Sequence, residues 1–391
     1  MANAISAYLS PYIVGNAIEA LGETMALVAN CNKDVSTAAG VKGQTVTMGV
    51  PQPLTAGAVT AASTAPAPTA ITVGQRNVTL SNEYKTSFAI SGKETQDYAL
   101  DSVFLEQVKE AVRGMAYAVN ASVWALYKKI PYAIGNSGTG LFASNANTLS
   151  EMDALLTTNL CPLDNRKFLC GTKDFAALAS LTELNYAMYR GDSITNRTGQ
   201  IGDVRGFTVF RDQQVPLHTV GTITGTVSVT GTTAVGATTV NLTCATGEAV
   251  ALKAGDLIEF GDKVSYAVAA DCTIGGAATG NVTLDRGLVA ALTSSNVIAL
   301  ATTTCTYDAN SLVTIGGRFD GISLLARLPE TNPMGYATQG EHMPIVDPAS
   351  GFPFLISVYP QYKQVALEVS AIWGTELTDS RKLCRGLTYS S

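Results

Sequence analysis

Residues 101–129 read DSVFLEQVKEAVRGMAYAVNASVWALYKK. The apolar side chains in this stretch recur every three or four positions, a spacing that places them along one face of an α-helix. The apolar stripe consists of Leu105, Val108, Val112, Met115, Val119, Val123 and Leu126. At about 1.5 Å per residue the predicted helix is about 43 Å long. Few compact domains are that wide, so we expect it to be a spine across a flat or elongated molecule. The strands predicted on both sides of it argue against a simple helical bundle.

The segment before this spine helix predicts a long two-stranded ribbon. Residues 43–50 alternate like a strand that ends at Pro51, and residues 75–91 alternate well enough to be the returning strand. Between them, residues 51–72 contain four prolines and no charged residue. A disordered linker is normally rich in charge as well as proline, so we interpret this segment as an arm that lies on another surface, with a floppy connector as the alternative. An isolated ribbon is only marginally stable in water and needs a partner surface.

The chain after the spine helix changes character. Residues 149–206 predict an α+β domain, with a helix from residue 150, a strand at 166–170 and a helix at 173–181 that lead to a strand at 207–210. Between residues 221 and 300 only nine charged residues occur, and six short alternating runs predict a small antiparallel barrel or sandwich inserted into the fold. Mixed and helical patterning resumes after residue 307. Two strands, at 354–359 and 364–373, are predicted to complete the interrupted sheet.

Charged residues are scarce in this chain. The 391 residues include 25 Lys and Arg against 31 Asp and Glu, so 14% are charged and the net charge is −6. An ordinary soluble domain carries about 25%. Either other subunits cover much of the surface, or this is simply a β-rich chain made of Ala, Thr, Gly and Val. The acidic balance, without a basic cluster, argues against sequence-specific reading of nucleic acid and against docking on anionic membranes. Close proximity to DNA without tight binding is compatible with it.

The sequence predicts neither export nor disulfides. It begins MANAISAYLSPYIVG, which lacks a basic region followed by an apolar run, and no stretch reaches the roughly 18 apolar residues of a membrane span. We therefore expect a cytosolic chain with no membrane partner. The seven cysteines are scattered without a C-x-x-C pair, so we expect reduced and mostly buried thiols rather than zinc ligands.

No motif for catalysis or metal binding is present. His218 and His342 belong to no zinc-hydrolase pattern, and there is no G-x-S-x-G. The Gly-rich run at 135–140 lacks the Lys-Ser/Thr of a phosphate loop. Loose carboxylate pairs such as Asp256 and Glu259 are better explained by hairpin turns and helix caps. We therefore predict that the chain is not an enzyme and holds no metal and no cofactor.

Several phrases resemble one family when they are taken in order. They are GQTVTMGVPQP (43–53), NRKFLCGTKDFAALAS (165–180), GDVRGFTVFRDQQVP (202–216), LKAGDLIEFGD (252–262), NVTLDRGL (281–288) and the tail GFPFLISVYPQYKQVALEVSAIWGTELTDSRKLCRGL (351–387). Together with the order of parts, they resemble the major capsid (coat) proteins of tailed bacteriophages. The chain is most like the coat proteins of short-tailed phages that carry an inserted β-barrel domain. The resemblance spans residues 5–388 approximately.

The resemblance implies an α+β fold, the capsid fold of tailed bacteriophages, with a small antiparallel β-barrel inserted. The implied parts are an N-terminal arm and helix (1–44, with a helix predicted over 10–30), an extended β-hairpin loop (45–92), the spine helix and peripheral α+β domain (93–200), an axial domain with closing strands (201–220 and 302–391) and the inserted barrel (221–301). The implied function is an icosahedral shell of hexamers and pentamers around double-stranded DNA.

The implied partners are other copies of the chain, a scaffolding protein and a portal, with non-specific proximity to packaged DNA. The implied location is the virion, after assembly in the host cytoplasm. We expect inter-subunit contacts in the arm and hairpin loop at Pro51, Pro53, Leu54, Val59, Pro66, Pro68, Ile71, Arg76, Glu83 and Lys85. The alternatives are another phage structural protein, such as a tail-tube or head-decoration subunit, or an enzyme with a β-barrel accessory domain.

Overall fold

The computed structural model describes most of the chain, in separate stretches. These are residues 25–50, 74–93, 101–135, 140–185, 201–262, 264–300, 310–330, 340–347 and 350–389. Most of the helix predicted over 10–30, and all of the uncharged segment 51–72, lie outside the described residues. Within the described part the fold is mixed α and β, with many strands and few helices.

The elements have the following bounds. The helices are α1 (Ala26–Asn30), α2 (Asp101–Trp124), α3 (Asn147–Thr158), α4 (Thr172–Ser180) and α5 (Thr182–Asn185), with 3₁₀ turns at Ala125–Lys129, Phe319–Gly321 and Ser380–Lys382. The strands up to the inserted segment are β1 (Asn32–Gly40), β2 (Thr45–Val50), β3 (Gly74–Thr79), β4 (Asn82–Ser91), β5 (Ala133–Ile134), β6 (Lys167–Cys170), β7 (Asp203–Val204), β8 (Phe207–Arg211) and β9 (Leu217–Thr219). The inserted strands are β10 (Thr222–Thr224), β11 (Ser228–Val229), β12 (Thr239–Thr243), β13 (Ala249–Leu252), β14 (Leu257–Glu259), β15 (Tyr266–Ala267), β16 (Cys272–Ile274), β17 (Thr279–Thr283) and β18 (Ala299–Leu300). The closing strands are β19 (Asn310–Gly317), β20 (Ile322–Pro329), β21 (Glu341–Val346), β22 (Pro353–Gln361), β23 (Gln364–Leu377) and β24 (Leu383–Tyr389).

The spine helix is α2, and its apolar stripe is buried. Val108, Val112, Met115, Val119 and Val123 are at most 2% exposed, and Leu126 is 6% exposed. The side chain of Leu105 lies outside the described part. The α-helix ends at Trp124 rather than at residue 129, and the last five residues tighten into a 3₁₀ turn, a common way for an α-helix to finish.

The spine helix packs on one face of a central sheet. This sheet has the order β1-β20-β23-β22-β21, with β4 also paired to β23. Val369, Ala371 and Trp373 of β23 belong to the same core cluster as the helix stripe. The indole of Trp373 also donates a hydrogen bond to the hydroxyl of Ser122 on the helix, at 2.7 Å. The two closing strands expected from the sequence are present here as β22 and β23, both longer than predicted.

The sequence predicted one returning strand over residues 75–91, but the structure divides this stretch into two strands. The strand β3 pairs with β2 and ends at Thr79, whereas β4 begins at Asn82 and pairs with β23 instead. Between them Leu80 is buried in a small cluster with Leu325 and Ile372 of the central sheet. Anchoring this apolar side chain turns the chain from the ribbon into the sheet.

A second sheet carries the α+β domain. Its order is β5-β24-β19-β6-β8-β7, with β9 also paired to β19. The core under its helices includes Leu149, Met152 and Leu156 of α3 and Leu178 of α4. The predicted elements at 150, 166–170, 173–181 and 207–210 are present within one to three residues. Strands β19 and β24, far along the chain, complete this sheet.

Most buried apolar residues of the inserted segment form a core of their own, whereas Leu257 of β14 and Ala267 of β15 belong to the core of the spine helix. The six predicted runs correspond to β11, β12, β14, β15, β17 and β18, whereas β10, β13 and β16 were not predicted. The inserted strands form three sheets, β10-β13-β16, β11-β12-β17 and β15-β14-β18, around one cluster of buried residues between Val227 and Ile298. Closure of these sheets into a barrel stays a prediction.

The helical patterning predicted after residue 307 was wrong for the described residues. From Asn310 onward they form strands and 3₁₀ turns only. The reason is visible in β20, where the first five side chains are all buried. A strand covered on both faces shows a continuous apolar run instead of an alternation, and such a run cannot be distinguished from a buried helix by its period.

Candidate inter-subunit surface

The predicted contact residues divide into two groups. Pro51, Pro53, Leu54, Val59, Pro66, Pro68 and Ile71 lie outside the described residues. Arg76, Glu83 and Lys85 are described, and each is exposed. The structure does not bring these three together, because Arg76 lines one cleft while Glu83 and Lys85 line another.

The ribbon formed by β2 and β3 has two unlike faces. Six residue pairs hold it in antiparallel register, from Thr45 opposite Thr79 to Val50 opposite Gly74. One face is polar, and its hydroxyls bond across the strands, with Thr45 Oγ1 lying 3.0 Å from Thr79 Oγ1. The other face carries Val46, Met48 and Val78. Alternation along two short strands therefore gives the ribbon one apolar and one water-facing side.

The apolar face of the ribbon is seated on the central sheet. Val78 and Leu80 are fully buried against Leu325 and Ile372. Because Ile372 is adjacent to Trp373 in β23, and successive side chains point to opposite faces, the ribbon lies on the face away from the spine helix. At Gly374 a Cβ atom would come within 1.9 Å of the carbonyl oxygen of Thr79. The base of the ribbon thus lies directly on the backbone of β23.

A polar cleft of ≈ 270 Å³ flanks the distal end of the ribbon. It is lined by Arg76, by Asp285 of the inserted segment and by the pair Asp379 and Arg381. Burial raises the pKa of Asp285, and the charges of Lys129 and Arg76 oppose that rise. The cleft therefore places a ribbon cation beside a half-buried carboxyl group of the insertion.

The cleft beside β4 is larger, at ≈ 670 Å³. Glu83 and Lys85 line it together with His342, and Lys85 forms an ion pair with Glu368 at 3.5 Å. The Lys85 side chain is 67% exposed, so this pair is screened by water and contributes little to stability.

Buried hydrogen bonds join the spine helix to the segment that directly follows the strand β8. Asn120, fully buried within the apolar stripe, donates to Asp212 at 3.0 Å, and the indole of Trp124 donates to the same carboxylate, also at 3.0 Å. Asp212 in turn accepts from the backbone N–H of Gln214 at 2.9 Å. The one sign of this contact in the sequence is an asparagine beside the apolar stripe of the spine helix.

A second buried polar group, which we call the junction cluster, joins the insertion to the spine. Tyr127 Oη lies 3.0 Å from His218 Nδ1, and His218 Nε2 lies 2.9 Å from Asp256 Oδ1. The other oxygen of Asp256 accepts from the backbone of Gly221 and Lys253. The 3₁₀ turn that ends the spine helix, the strand β9 and the inserted segment are therefore linked by one chain of hydrogen bonds.

Arg385 of β24 completes the junction cluster. This guanidinium is fully buried and donates to the carbonyl of Gly255 at 2.7 Å, next to Asp256. Burial raises the pKa of Tyr127, so its phenol keeps the proton. The phenol of Tyr127 and the carboxyl group of Asp256 lie against the two nitrogens of the His218 ring, so the ring is held from both sides. Asp256 and Arg385 are both fully buried in this cluster.

The cysteines are structural in the described part of the chain. Cys31, Cys161, Cys170, Cys244 and Cys384 are buried, and Cys272 is partly buried. Burial raises the pKa of the Cys31 thiol to about 12 and also raises that of Cys170. A thiol that resists ionisation is a poor nucleophile and a poor metal ligand. Cys305 lies outside the described residues.

The described residues show no metal centre and no membrane helix. No group of three or more His, Cys, Asp and Glu side chains among them is placed to hold a metal ion. None of the helices that the structure describes is long and apolar enough to cross a membrane.

One buried carboxyl group responds to pH. Asp174, 2% exposed in the first turn of α4, accepts a hydrogen bond from Thr388 at 2.9 Å, while its other oxygen meets no donor among the described residues. Burial raises its pKa from 3.8 to about 6. The folded state therefore binds this proton more tightly than the unfolded state, so the contribution of Asp174 to stability is fully present below pH 3.8 and is lost as the pH rises through 6.

We expect Asp174→Asn to stabilise the subunit at neutral pH. An amide keeps the oxygen that accepts from Thr388 and removes the cost of a buried negative charge, which a shift of about two pKa units sets at about 3 kcal/mol. Urea unfolding at pH 4 to 7.5 measures this, with the exposed Asp203→Asn as control. Equal pH dependence of the wild type and Asp174→Asn would contradict it.

Comparison with known proteins gives matches among solved structures alone. No family model matches the chain, and no curated protein matches it. A capsid structure of the cyanophage P-SCSP1u is 10% identical with a TM-score of 0.49, and the match covers 92% of this chain and 87% of that one. The mature capsid of bacteriophage PhiM1 is 9% identical with a TM-score of 0.48, covering 93% and 87%. A virus-like particle from Pyrococcus furiosus is 8% identical with a TM-score of 0.43, covering 96% and 98%.

The solved structures that the chain resembles over most of its length include phage capsids and a virus-like particle.

Proposed function

We propose that this chain is the major capsid protein of a tailed phage. Many copies form hexamers and pentamers, and these build an icosahedral head around double-stranded DNA, in the virion, after assembly in the host cytoplasm with a scaffolding protein and a portal. In this proposal the insertion is a β-barrel domain, and the parts have the boundaries given by the sequence.

The ribbon is the observation that carries the proposal. Its base is seated on the central sheet, its second face is polar and open, and its strands lead into residues 51–72, which contain no charge. An uncharged arm can lie across a neighbour without burying unpaired charges. The spine helix behind the same sheet gives the ribbon a rigid base.

Repetition accounts for the stability of such a shell. A single contact between arms and neighbours contributes only a few kcal/mol, but each subunit repeats its contacts around a closed surface, so they act together. The net charge of −6 suits an inner wall that lies close to DNA without binding it tightly.

Deleting residues 52–70 is expected to leave a folded subunit that builds no closed shells. The deletion removes the arm but keeps both ribbon strands, Thr45–Val50 and Gly74–Thr79, and the cluster beneath them. Electron microscopy and size-exclusion chromatography of the expressed protein, with its scaffold where one is needed, measure particle yield.

Circular dichroism and thermal unfolding of the deleted chain provide the control for folding. A particle yield equal to that of the wild type would contradict the role of the arm. Tubes or small rings formed by the wild type would favour a tail-tube or decoration subunit, and a persistent monomer at high concentration would contradict the capsid function.

A further inference from the structure

The turn after α3 presents two leucines to solvent. Leu160 is 77% exposed and Leu163 is 70% exposed. They lie three residues apart in the sequence NLCPLDN, residues 159–165, which we call the leucine turn. Two large apolar side chains on one short turn expose apolar surface side by side in the sequence, and exposed apolar surface commonly marks a contact with another protein.

The backbone conformation of Leu160 is unfavourable for a leucine in the isolated subunit. Its φ angle is +60°, in the left-handed region that a helix C-terminus normally fills with Gly or Asn. Asn165 in the same turn has φ of +54°, and asparagine tolerates this conformation. A leucine gains nothing there for an isolated subunit, since its side chain is neither buried nor suited to the backbone.

The leucine turn is nevertheless held in one shape. The backbone N–H of Leu160 donates to Thr157 and that of Cys161 donates to Leu156, both at 3.0 Å. The buried guanidinium of Arg166 donates to the carbonyl of Cys161 at 2.7 Å and to that of Pro162 at 3.0 Å. A contact that is already ordered loses little conformational entropy when it binds.

The charges around the leucine turn are paired within the subunit. Arg166 also binds the carboxylate of Asp153, and Arg318 binds that of Asp164 at 3.0 Å. Copies of a chain with a net charge of −6 repel one another, so they approach most easily where carboxylates are already neutralised.

We propose that Leu160 and Leu163 contact a second copy of this chain, an inference that rests on the proposed shell. Two leucines are far too small a surface to hold a pair of subunits, because stable interfaces bury about 1,200–2,000 Å². The leucine turn therefore acts where each subunit meets several neighbours, and its effect is repeated with every copy.

The test is Leu160→Gly, which separates the subunit from the assembly. Glycine adopts a positive φ without strain, so the isolated subunit is expected to unfold at the same or a higher temperature than the wild type. Assembly is expected to need about tenfold more protein, since burial of one leucine side chain is worth about a factor of ten or more in association. Light scattering against protein concentration, with electron microscopy of the products, measures this.

Two further variants complete the experiment. Leu163→Ser removes the other leucine without changing a left-handed residue and is expected to weaken assembly in the same direction. Asn165→Gly is the matched control, because it changes a left-handed residue of the same turn but removes no apolar side chain. It is expected to assemble like the wild type.

The outcomes distinguish failure of the proposed leucine contact from failure of the proposed capsid function. If the wild type assembles and both leucine variants assemble at the same concentration, the contact is wrong and the capsid function stands. If Asn165→Gly weakens assembly as much as Leu160→Gly does, the backbone of the turn matters and the leucines do not, which also overturns the contact. If the wild type itself stays monomeric, the proposed function and the contact both fail.

Discussion

Replacing Asp256 by alanine is expected to destabilise the subunit by about 3–5 kcal/mol, because the change leaves buried partners uncompensated. The carboxylate accepts hydrogen bonds from His218 and from the backbone of Gly221 and Lys253. It is also the carboxyl group of the junction cluster, where the buried guanidinium of Arg385 donates to the carbonyl of the neighbouring Gly255.

The position of the junction cluster determines how the loss of stability in Asp256→Ala appears in an unfolding experiment. The inserted strands have their own core, whereas the cluster joins them to the spine helix and to β24. We therefore expect Asp256→Ala to unfold in two steps, with the insertion retaining strand structure after its attachment is lost. Differential scanning calorimetry measures the two steps together with tryptophan fluorescence, which comes from Trp124, one turn before Tyr127, and from Trp373 of the central sheet.

Asp271→Ala is the matched control for this change. Asp271 belongs to the same inserted segment, but its side chain is 61% exposed and pairs with Lys253 at the surface. Its removal is expected to leave the unfolding temperature close to that of the wild type, because an exposed ion pair is screened by water. If Asp256→Ala unfolds in one step and at the same temperature as Asp271→Ala, the junction cluster does not hold the insertion.

Patterns of short period were enough to predict much of this fold. The apolar stripe of the spine helix, with its spacing of three and four residues, predicted an element that the structure places within five residues of the expected end. Alternation predicted β2, β22 and most inserted strands. The drop in charge between residues 221 and 300 predicted a segment that has its own core.

Other features carry no local signal. The junction cluster unites Tyr127, His218, Asp256 and Arg385, whose separation along the chain leaves no spacing to recognise. The two histidines were correctly separated from any zinc motif, yet the partners of His218 could not be predicted. Likewise, nothing in the sequence distinguishes the exposed Leu160 from a core leucine, since its exposure depends on where α3 ends.

The break between β3 and β4 shows the same limit. Residues 75–91 alternate throughout, and their division depends on the sheet that each half meets. Thr79 and Leu80 cross over β23 at Gly374, where an added Cβ would lie 1.9 Å from the carbonyl oxygen of Thr79. Gly374 lies in the tail that was quoted for the family resemblance. The structure shows a steric reason for glycine at this position.

Gly374→Ala is expected to lift the base of the ribbon from the central sheet. The added Cβ would lie 1.9 Å from the carbonyl oxygen of Thr79 and 2.6 Å from its carbonyl carbon, and backbone atoms cannot rotate away as a side chain can. Separation exposes Val78 and Leu80, each fully buried. Loss of their burial costs about 1.5–3 kcal/mol for each side chain, so we expect a destabilisation of at least about 3 kcal/mol.

Gly114→Ala in the exposed face of the spine helix is the opposite control, because a Cβ there meets nothing within 4 Å. Alanine is expected to stabilise the helix by about 0.5–1 kcal/mol.

Thermal unfolding compares the stability of Gly374→Ala and Gly114→Ala. Limited proteolysis reports whether the ribbon is detached, since a detached connection at residues 79–82 becomes a cleavage site. If the capsid proposal is correct, Gly374→Ala also abolishes assembly while Gly114→Ala does not, because an arm whose base has moved no longer reaches its neighbour at a fixed angle. Equal stability and protease resistance in both variants would mean that the ribbon is not seated on β23.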